Sequence, residues 1–316
     1  MMAGSIIPFL SRANATDTAA WIAALSQAMP HECIVPFAQL TQAQRQQAMV
    51  AIVANPNPTE LSALPALIWV QCLWAGVERM LVEVKNSQIG IARLEDPQLA
   101  ATMAEAVLAW TLYLHRDMPA YAVAQRTRVW QPQPLRLASE RCVAILGLGQ
   151  LGKFAAKRLI DAGFNVVGWA RNAQTLPSMQ TFAGNATLPD VLGRADIIVC
   201  LLPLTPDTRN LLNAARFKQM KPRAAFVNFG RGAIVNSGDL IAALDAYQLS
   251  HAVLDVFETE PLPKDNPFWT HEKITVLPHI SAPTHKGSAS AVAAGNIARY
   301  RATGARPTLV DRSIGY

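Results

Sequence analysis

Short apolar runs alternate with stretches of helical spacing along most of the chain. Ser5–Leu10 (SIIPFL), Ile34–Phe37, Ala48–Ala54 (AMVAIVA) and Leu67–Gln71 (LIWVQ) are rich in β-branched and aromatic side chains, and each predicts a strand. Asp17 predicts the cap of a helix running through Ala28. Strands alternating with helices predict a small parallel α/β unit over the first ~95 residues. Asp96 and Pro97 then open a helical pattern reaching about Tyr121, and Pro132 and Pro134 break the pattern as a linker.

A second α/β series follows. Arg141–Leu146 predicts a strand, Lys153–Ala162 a helix, and Phe164–Trp169 (FNVVGW) the next strand. Asp196–Leu202, Ala224–Phe229, Ala252–Val256 and Ile274–Leu277 continue the series. These runs are almost uninterrupted by polar residues, as strands covered on both faces require, so the pattern predicts a doubly wound sheet.

Composition narrows the class. With 316 residues the chain can form two domains, and 51% apolar against 16% charged residues excludes a disordered chain. No apolar run reaches the roughly 18 residues that span a bilayer. Met1–Arg12 lacks the basic and apolar regions of a signal peptide, so none is expected. Cys33, Cys72, Cys142 and Cys200 are scattered without metal-ligand spacing; reduced thiols, a cytoplasmic location and no metal site are expected. The net charge of +6 comes without a dense Lys/Arg run or a nucleic-acid motif. It suits small anionic ligands as well as an ordinary basic surface, and no nucleic-acid or membrane partner is expected.

Candidate chemistry begins at Gly147-Leu148-Gly149-Gln150-Leu151-Gly152, a G-x-G-x-x-G that follows an apolar strand and opens a helix. In that setting Gly147 permits the tight turn, Gly149 lets backbone approach a pyrophosphate, and Gly152 lets helix and strand pack closely. The helix N-terminus adds N–H donors and a favourable dipole. The next strand ends at Trp169-Ala170-Arg171-Asn172, where an NAD site would place a carboxylate against the ribose hydroxyls. Arg171 offers a guanidinium for a 2′-phosphate instead, with Asn172 as a further donor, so NADP(H) is the expected cofactor.

Three later segments stand at strand ends, where a doubly wound sheet gathers its ligands: Asn228-Phe229-Gly230-Arg231-Gly232, Asp255–Leu262 (DVFETEPL) and Leu277-Pro278-His279-Ile280-Ser281. With GLGQLG and LLPLTPDT (201–208), their order and spacing resemble the D-isomer-specific 2-hydroxyacid dehydrogenases. DPQLAATMAEAVLAW (96–110) is similar to that family's interdomain and dimer-forming helix, and WAGVE (74–78) to its substrate loop. Arg171 and the tail Val310–Tyr316 are similar to the branch that reduces glyoxylate and hydroxypyruvate.

The resemblance implies a Rossmann cofactor domain over 98–285, inserted in a flavodoxin-like substrate domain of 1–97 and 286–316, with the active site between them and hinge closure excluding water. It implies a homodimer that reduces small 2-oxo acids. Arg231 matches the residue that holds the substrate carboxylate and polarises the carbonyl, His279 the proton donor, and Glu260 the carboxylate that orients it. Glu258 competes with Glu260, but the family places the acid immediately before proline. Leu202, Pro203, Thr208, Phe229 and Asp255 are implied around the nicotinamide, and the backbone at Ala75 and Gly76 as a second hold on the carboxylate. Trp74 replaces a small residue; its indole either projects over the substrate, favouring compact acids, or turns away and packs under the loop. Glu78 replaces the usual aspartate. His115, His251, His271 and His285 are expected to be structural or surface residues. A dinucleotide-sensing corepressor of the same fold is the alternative; a relative acting on formate or phosphite is a third reading, of which phosphite is disfavoured because Arg171 points to NADP.

Overall fold

The computed structural model describes residues 5–315. Met1–Gly4 and Tyr316 lie outside the described residues, and with them the start of the stretch read for a signal peptide and the last residue of the tail. The chain separates into two compact units, Met1–Gln98 with Thr284–Tyr316, and Leu99–Pro283.

In the first unit, β1 (Ser5–Ser11), β2 (Glu32–Pro36), β3 (Val50–Ala54), β4 (Trp69–Cys72) and β5 (Gly90–Ala92) form a parallel sheet in the order β2-β1-β3-β4-β5. This is the flavodoxin-like order. Successive residues of β3 feed opposite cores: Val50, Ile52 and Ala54 join one cluster, Ala51 and Val53 the other. That alternation is the period of a strand buried on both faces. The helix Lys286–Thr303 returns Ala289, Ala293 and Ile297 to the first of these clusters, beside Trp21 and Leu25.

In the second unit, β6 (Cys142–Leu146), β7 (Asn165–Ala170), β8 (Gln180–Ala183), β9 (Ile197–Cys200), β10 (Ala224–Asn228), β11 (Leu249–Leu254) and β12 (Ile274–Val276) form one parallel sheet. Its order is β12-β11-β10-β9-β6-β7-β8. The chain winds outward from β6, returns to β9, and winds outward the other way, the doubly wound Rossmann pattern. The switch point lies between β6 and β9. Ala144 and Leu146 enter one core, Val143 and Ile145 the other, and all four are fully buried. A fully buried Val, Ile or Leu contributes roughly 1.5–3 kcal/mol of apolar burial, which explains why the predicted strands are so uniformly apolar.

Several expectations need correction. The first helix spans Ala15–Ala28 and is capped by Asn14, whose side chain accepts from the Asp17 N–H; Asp17 sits inside the first turn. The pattern from Asp96 does not run unbroken to Tyr121. It forms two helices, Pro97–His115 and Met118–Thr127, separated where Asp117 takes a left-handed φ of 54°. Ala48 and Met49 precede β3 rather than belonging to it, and Phe37 starts a short 3-10 turn. β5 and β8 were not anticipated. Among the described residues, no helix is long and apolar enough to cross a membrane.

Candidate active site

The parallel sheet of the second unit sends all its candidate loops to one edge, because every strand presents its carboxyl end there. Backbone bonds stitch that edge together: Gly147 N–H donates to Trp169 O, Leu201 to Leu146, Phe229 to Cys200, Asp255 to Asn228 and Leu277 to Leu254.

The glycine loop leaves β6 at Gly147, with φ at +105°. A Cβ there would lie 2.8 Å from the Leu201 carbonyl oxygen, and one on Gly152 would lie 1.8 Å from the Gly147 oxygen. The turn therefore closes only with glycine at both positions. Gly149 differs: nothing lies within 4 Å of its missing Cβ. It begins the helix Gln150–Asp161 without a side-chain cap. Open space in front of an uncapped helix N-terminus fits a pyrophosphate, which would meet N–H donors and the dipole together. Gln150 is exposed and Leu151 half-buried at the same turn.

Beyond β7, Arg171 and Asn172 are exposed, and no carboxylate follows before β8. Trp169 turns its indole N–H to Gly184 O at 3.0 Å, fixing the end of the strand. The residues present thus fit a dinucleotide with an extra phosphate on its adenosine ribose.

Leu202 and Phe229 stand in the core, 6% and 3% exposed, so their side chains pack the sheet. Pro203 and Thr208 lie in the loop after β9. The Thr208 hydroxyl donates to Pro203 O at 2.7 Å and accepts from Thr205 N–H at 2.8 Å, so it shapes that loop from within.

Three further loops carry Arg231, Glu260 and His279, and the glutamate and histidine side chains meet. Arg231 follows β10 in the turn Asn228–Gly232. The adjoining glycine is required by contact: a Cβ on Gly232 would lie 2.0 Å from Phe257 C and 2.3 Å from Glu258 N. The Arg231 turn is thereby pressed onto the loop that carries Glu260. Glu260 accepts the Phe257 N–H at Oε1 (2.9 Å) and meets His279 Nδ1 at Oε2 (2.7 Å). An ionised carboxylate can only accept, so Nδ1 carries the proton and Nε2 is left for another partner. Glu258 points elsewhere, 3.6 Å from Arg209, so Glu260 is the acid that meets the histidine.

His279 itself has a left-handed φ of 55°, a costly conformation for a residue with a Cβ. Its neighbours hold it there. The carboxylate of Asp255, 2% exposed, accepts from Ile280 N–H at 2.7 Å and Ser281 N–H at 2.9 Å. Asp255 was expected beside the cofactor; both of its oxygens also serve the histidine turn. Asn228 was not singled out from sequence, yet its buried side chain ties the arginine turn, accepting from Gly230 N–H and donating to Arg231 O. Asparagine at a strand end is also a common turn residue, so the sequence carried little signal for this.

Trp74, Ala75 and Gly76 belong to the first unit, all half-buried just after β4. The Trp74 ring meets Trp21 edge-on with centroids 5.9 Å apart and packs against both cores of that unit. The indole is thus packed among apolar side chains of that unit, the second of the two arrangements the sequence leaves open. Of the other histidines, His251 is buried against the Thr275 hydroxyl at 2.9 Å, and His285 caps the helix Lys286–Thr303 by accepting from Ser288 N–H.

Residues 108–281 match the model of the D-isomer specific 2-hydroxyacid dehydrogenase NAD-binding domain, which covers the glycine loop and all three catalytic-type loops. The chain belongs to the D-isomer-specific 2-hydroxyacid dehydrogenase family. Similarity to other members of this dehydrogenase family extends well beyond that domain. Glyoxylate/hydroxypyruvate reductase A of Yersinia enterocolitica is 34% identical over 302 residues, 94% of this chain and 96% of that protein. Among solved structures, a family member from Xanthobacter autotrophicus in complex with NADPH and MES superposes with a TM-score of 0.92 at 34% identity, covering 99% of this chain and 100% of that one. An NADPH-dependent glyoxylate/hydroxypyruvate reductase from Sinorhizobium meliloti, in complex with NADP and sulfate, gives 0.90 at 31% identity, covering 99% and 100%.

Proposed function

We propose that this dehydrogenase reduces small 2-oxo acids, glyoxylate and hydroxypyruvate among them, with NADPH, giving the D-2-hydroxy acid where the product is chiral. The observation that carries the reading is the 2.7 Å contact of His279 Nδ1 with Glu260, beside the turn that presents Arg231. NADPH, when bound, supplies the hydride. Gly147–Gly152 would hold its pyrophosphate, Arg171 and Asn172 the ribose phosphate, and the backbone around Leu202, Pro203, Thr208, Phe229 and Asp255 its nicotinamide half.

Arg231 grips the substrate carboxylate with its planar fork and draws electron density from the keto oxygen. His279 delivers a proton to that oxygen from Nε2. Glu260 keeps Nδ1 protonated and stabilises the imidazolium before transfer. In the first unit the reading assigns backbone only, the N–H groups of Ala75 and Gly76 as further donors to the carboxylate. Residues 1–97 with 286–316 are then the substrate domain and 98–285 the NADP domain.

A cytoplasmic homodimer completes the proposal. Val129, Trp130, Leu135 and Leu137 are between 50% and 99% exposed on one stretch, an apolar surface that a second copy would cover. The corepressor alternative is set aside because the Yersinia enterocolitica and Sinorhizobium meliloti relatives are reductases.

The test is NADPH consumption by purified protein over glyoxylate, hydroxypyruvate, pyruvate and phenylpyruvate. Turnover of the first two is expected, with NADH a poor substitute. Tight NADPH binding without turnover of any 2-oxo acid would favour the dinucleotide sensor instead.

A further inference from the structure

The buried amide of Asn228 stands where β10 ends and the arginine turn begins. It is 1% exposed. Its Oδ1 accepts the Gly230 N–H at 3.2 Å, and its Nδ2 donates to the Arg231 carbonyl at 3.1 Å. The Asn228 carbonyl in turn accepts the Asp255 N–H at 3.1 Å. One side chain therefore satisfies a donor and an acceptor of the backbone immediately around Arg231, while its own backbone is joined to the next strand end. On the far side of the turn, Gly232 is packed against Phe257 and Glu258 with no room for a Cβ. The turn is gripped at both ends, and the arginine is the side chain between the grips.

We propose that Asn228 is a positioning residue for the 2-oxo acid, acting through Arg231. The inference rests on the assignment of Arg231 to the substrate carboxylate. A bidentate guanidinium–carboxylate contact depends on the direction in which the fork is presented, more than a point charge would. Losing the amide frees the turn at its β10 end, so the fork is presented in many directions. Histidine, glutamate and the glycine loop keep their own supports, so the defect falls on substrate binding and leaves proton transfer and cofactor binding largely intact.

The experiment is a double-mutant cycle on the full-length protein with Asn228→Ala, Arg231→Lys and the pair. Two quantities are read: the KM for glyoxylate, and the affinity of the NADP-loaded protein for oxamate, an unreactive mimic of a 2-oxo acid, by calorimetry. Asn228→Ala is expected to raise KM and weaken oxamate roughly 10-fold or more, with NADPH affinity and the pH dependence of turnover unchanged. In the Arg231→Lys background the same change is expected to add less than about 3-fold, because residues acting as one unit are not additive. Asn228→Asp retains the acceptor for Gly230 and loses the donor to Arg231. It is expected to show the same defect, and it serves if the alanine variant does not fold. Full additivity of the two substitutions, or a loss confined to NADPH affinity, would overturn the proposal. If Arg231→Lys itself leaves KM and oxamate binding unchanged, the assignment of Arg231 fails, an outcome separate from the failure of Asn228.

Discussion

The two units are built alike, as parallel sheets with apolar side chains feeding a core on each face, yet they use buried polar side chains differently. In the five-stranded unit, Gln71 lies fully buried in β4, donating to Cys72 O and Ala92 O and accepting from Asn296. Asp96 accepts from the Ser288 hydroxyl at 2.6 Å. Both fasten one element to another. In the seven-stranded unit, Asn228 and Asp255 are just as buried, but one ends a strand, the other directly follows one, and they support the loops carrying Arg231 and His279. A buried polar group needs partners in either case. When those partners are loop amides at the carboxyl edge of a parallel sheet, satisfying them also aims a side chain.

Substitutions in the two units should therefore fail in different ways. The largest effect is expected at the aimed residues. His279→Ala should lower turnover by roughly 10²–10⁴-fold while NADPH still binds, measured by steady-state kinetics and cofactor titration. Reduction uses the imidazolium and oxidation the neutral ring, so the forward rate should fall and the reverse rate rise as pH increases. One shared pH optimum would remove His279 from proton transfer.

Arg231→Lys keeps the charge and loses the fork. Catalytic efficiency should drop by about 10–150-fold, the equivalent of about 1.5–3 kcal/mol for a charge-assisted bond. Arg171→Ala should weaken NADPH over a similar or smaller range, on the order of 10-fold or more, and leave NADH almost untouched. Equal weakening of both cofactors would make Arg171 structural.

In the first unit the comparison predicts a loss of stability with selectivity preserved. Trp74→Gly removes an indole packed on Trp21. It should lower the unfolding free energy by about 2–4 kcal/mol, read by thermal or denaturant unfolding. The ratio of efficiencies on phenylpyruvate and glyoxylate should stay the same. A shift of that ratio toward phenylpyruvate would return Trp74 to the substrate pocket.

At neutral pH the smallest effect is expected at His251, whose contribution shows only in acid. Burial first, and nearby His271 second, hold the His251 pKa down at about 4. The unfolded chain therefore takes up a proton first as pH falls. Stability present above pH ~6.5 should be lost progressively down to about pH 4, by roughly 2–3 kcal/mol. His251→Gln should flatten this slope in melting curves, and an unchanged slope would assign acid sensitivity to other groups.

Sequence carried the fold almost completely where strands are buried on both faces, because burial there forces the whole run to be apolar. It failed at the edges. β8, Gln180–Ala183, pairs only with β7 and is partly exposed, so its mixed composition reads as loop. β5 is only Gly90–Ala92, too short to show a pattern. Asn14 and Asp17 both have capping side chains, and only backbone geometry decides between them. At the site, the glycine loop was legible because sterics leave no other residue at Gly147 and Gly152. The roles of Asn228 and Asp255, and the direction of Trp74, depend on neighbours distant along the chain. No local pattern reports those contacts.

The central claim is that the Arg231–Glu260–His279 edge reduces a 2-oxo acid with a hydride from NADPH. Its most direct test is reduction of hydroxypyruvate with NADPH deuterated at the transferable position of the nicotinamide, followed by chiral analysis of the product. The account predicts the label on the former keto carbon of a single D-2-hydroxy acid, formed by the parent protein and almost absent with His279→Ala. A product of L configuration, a racemate, or label lost to solvent would contradict it.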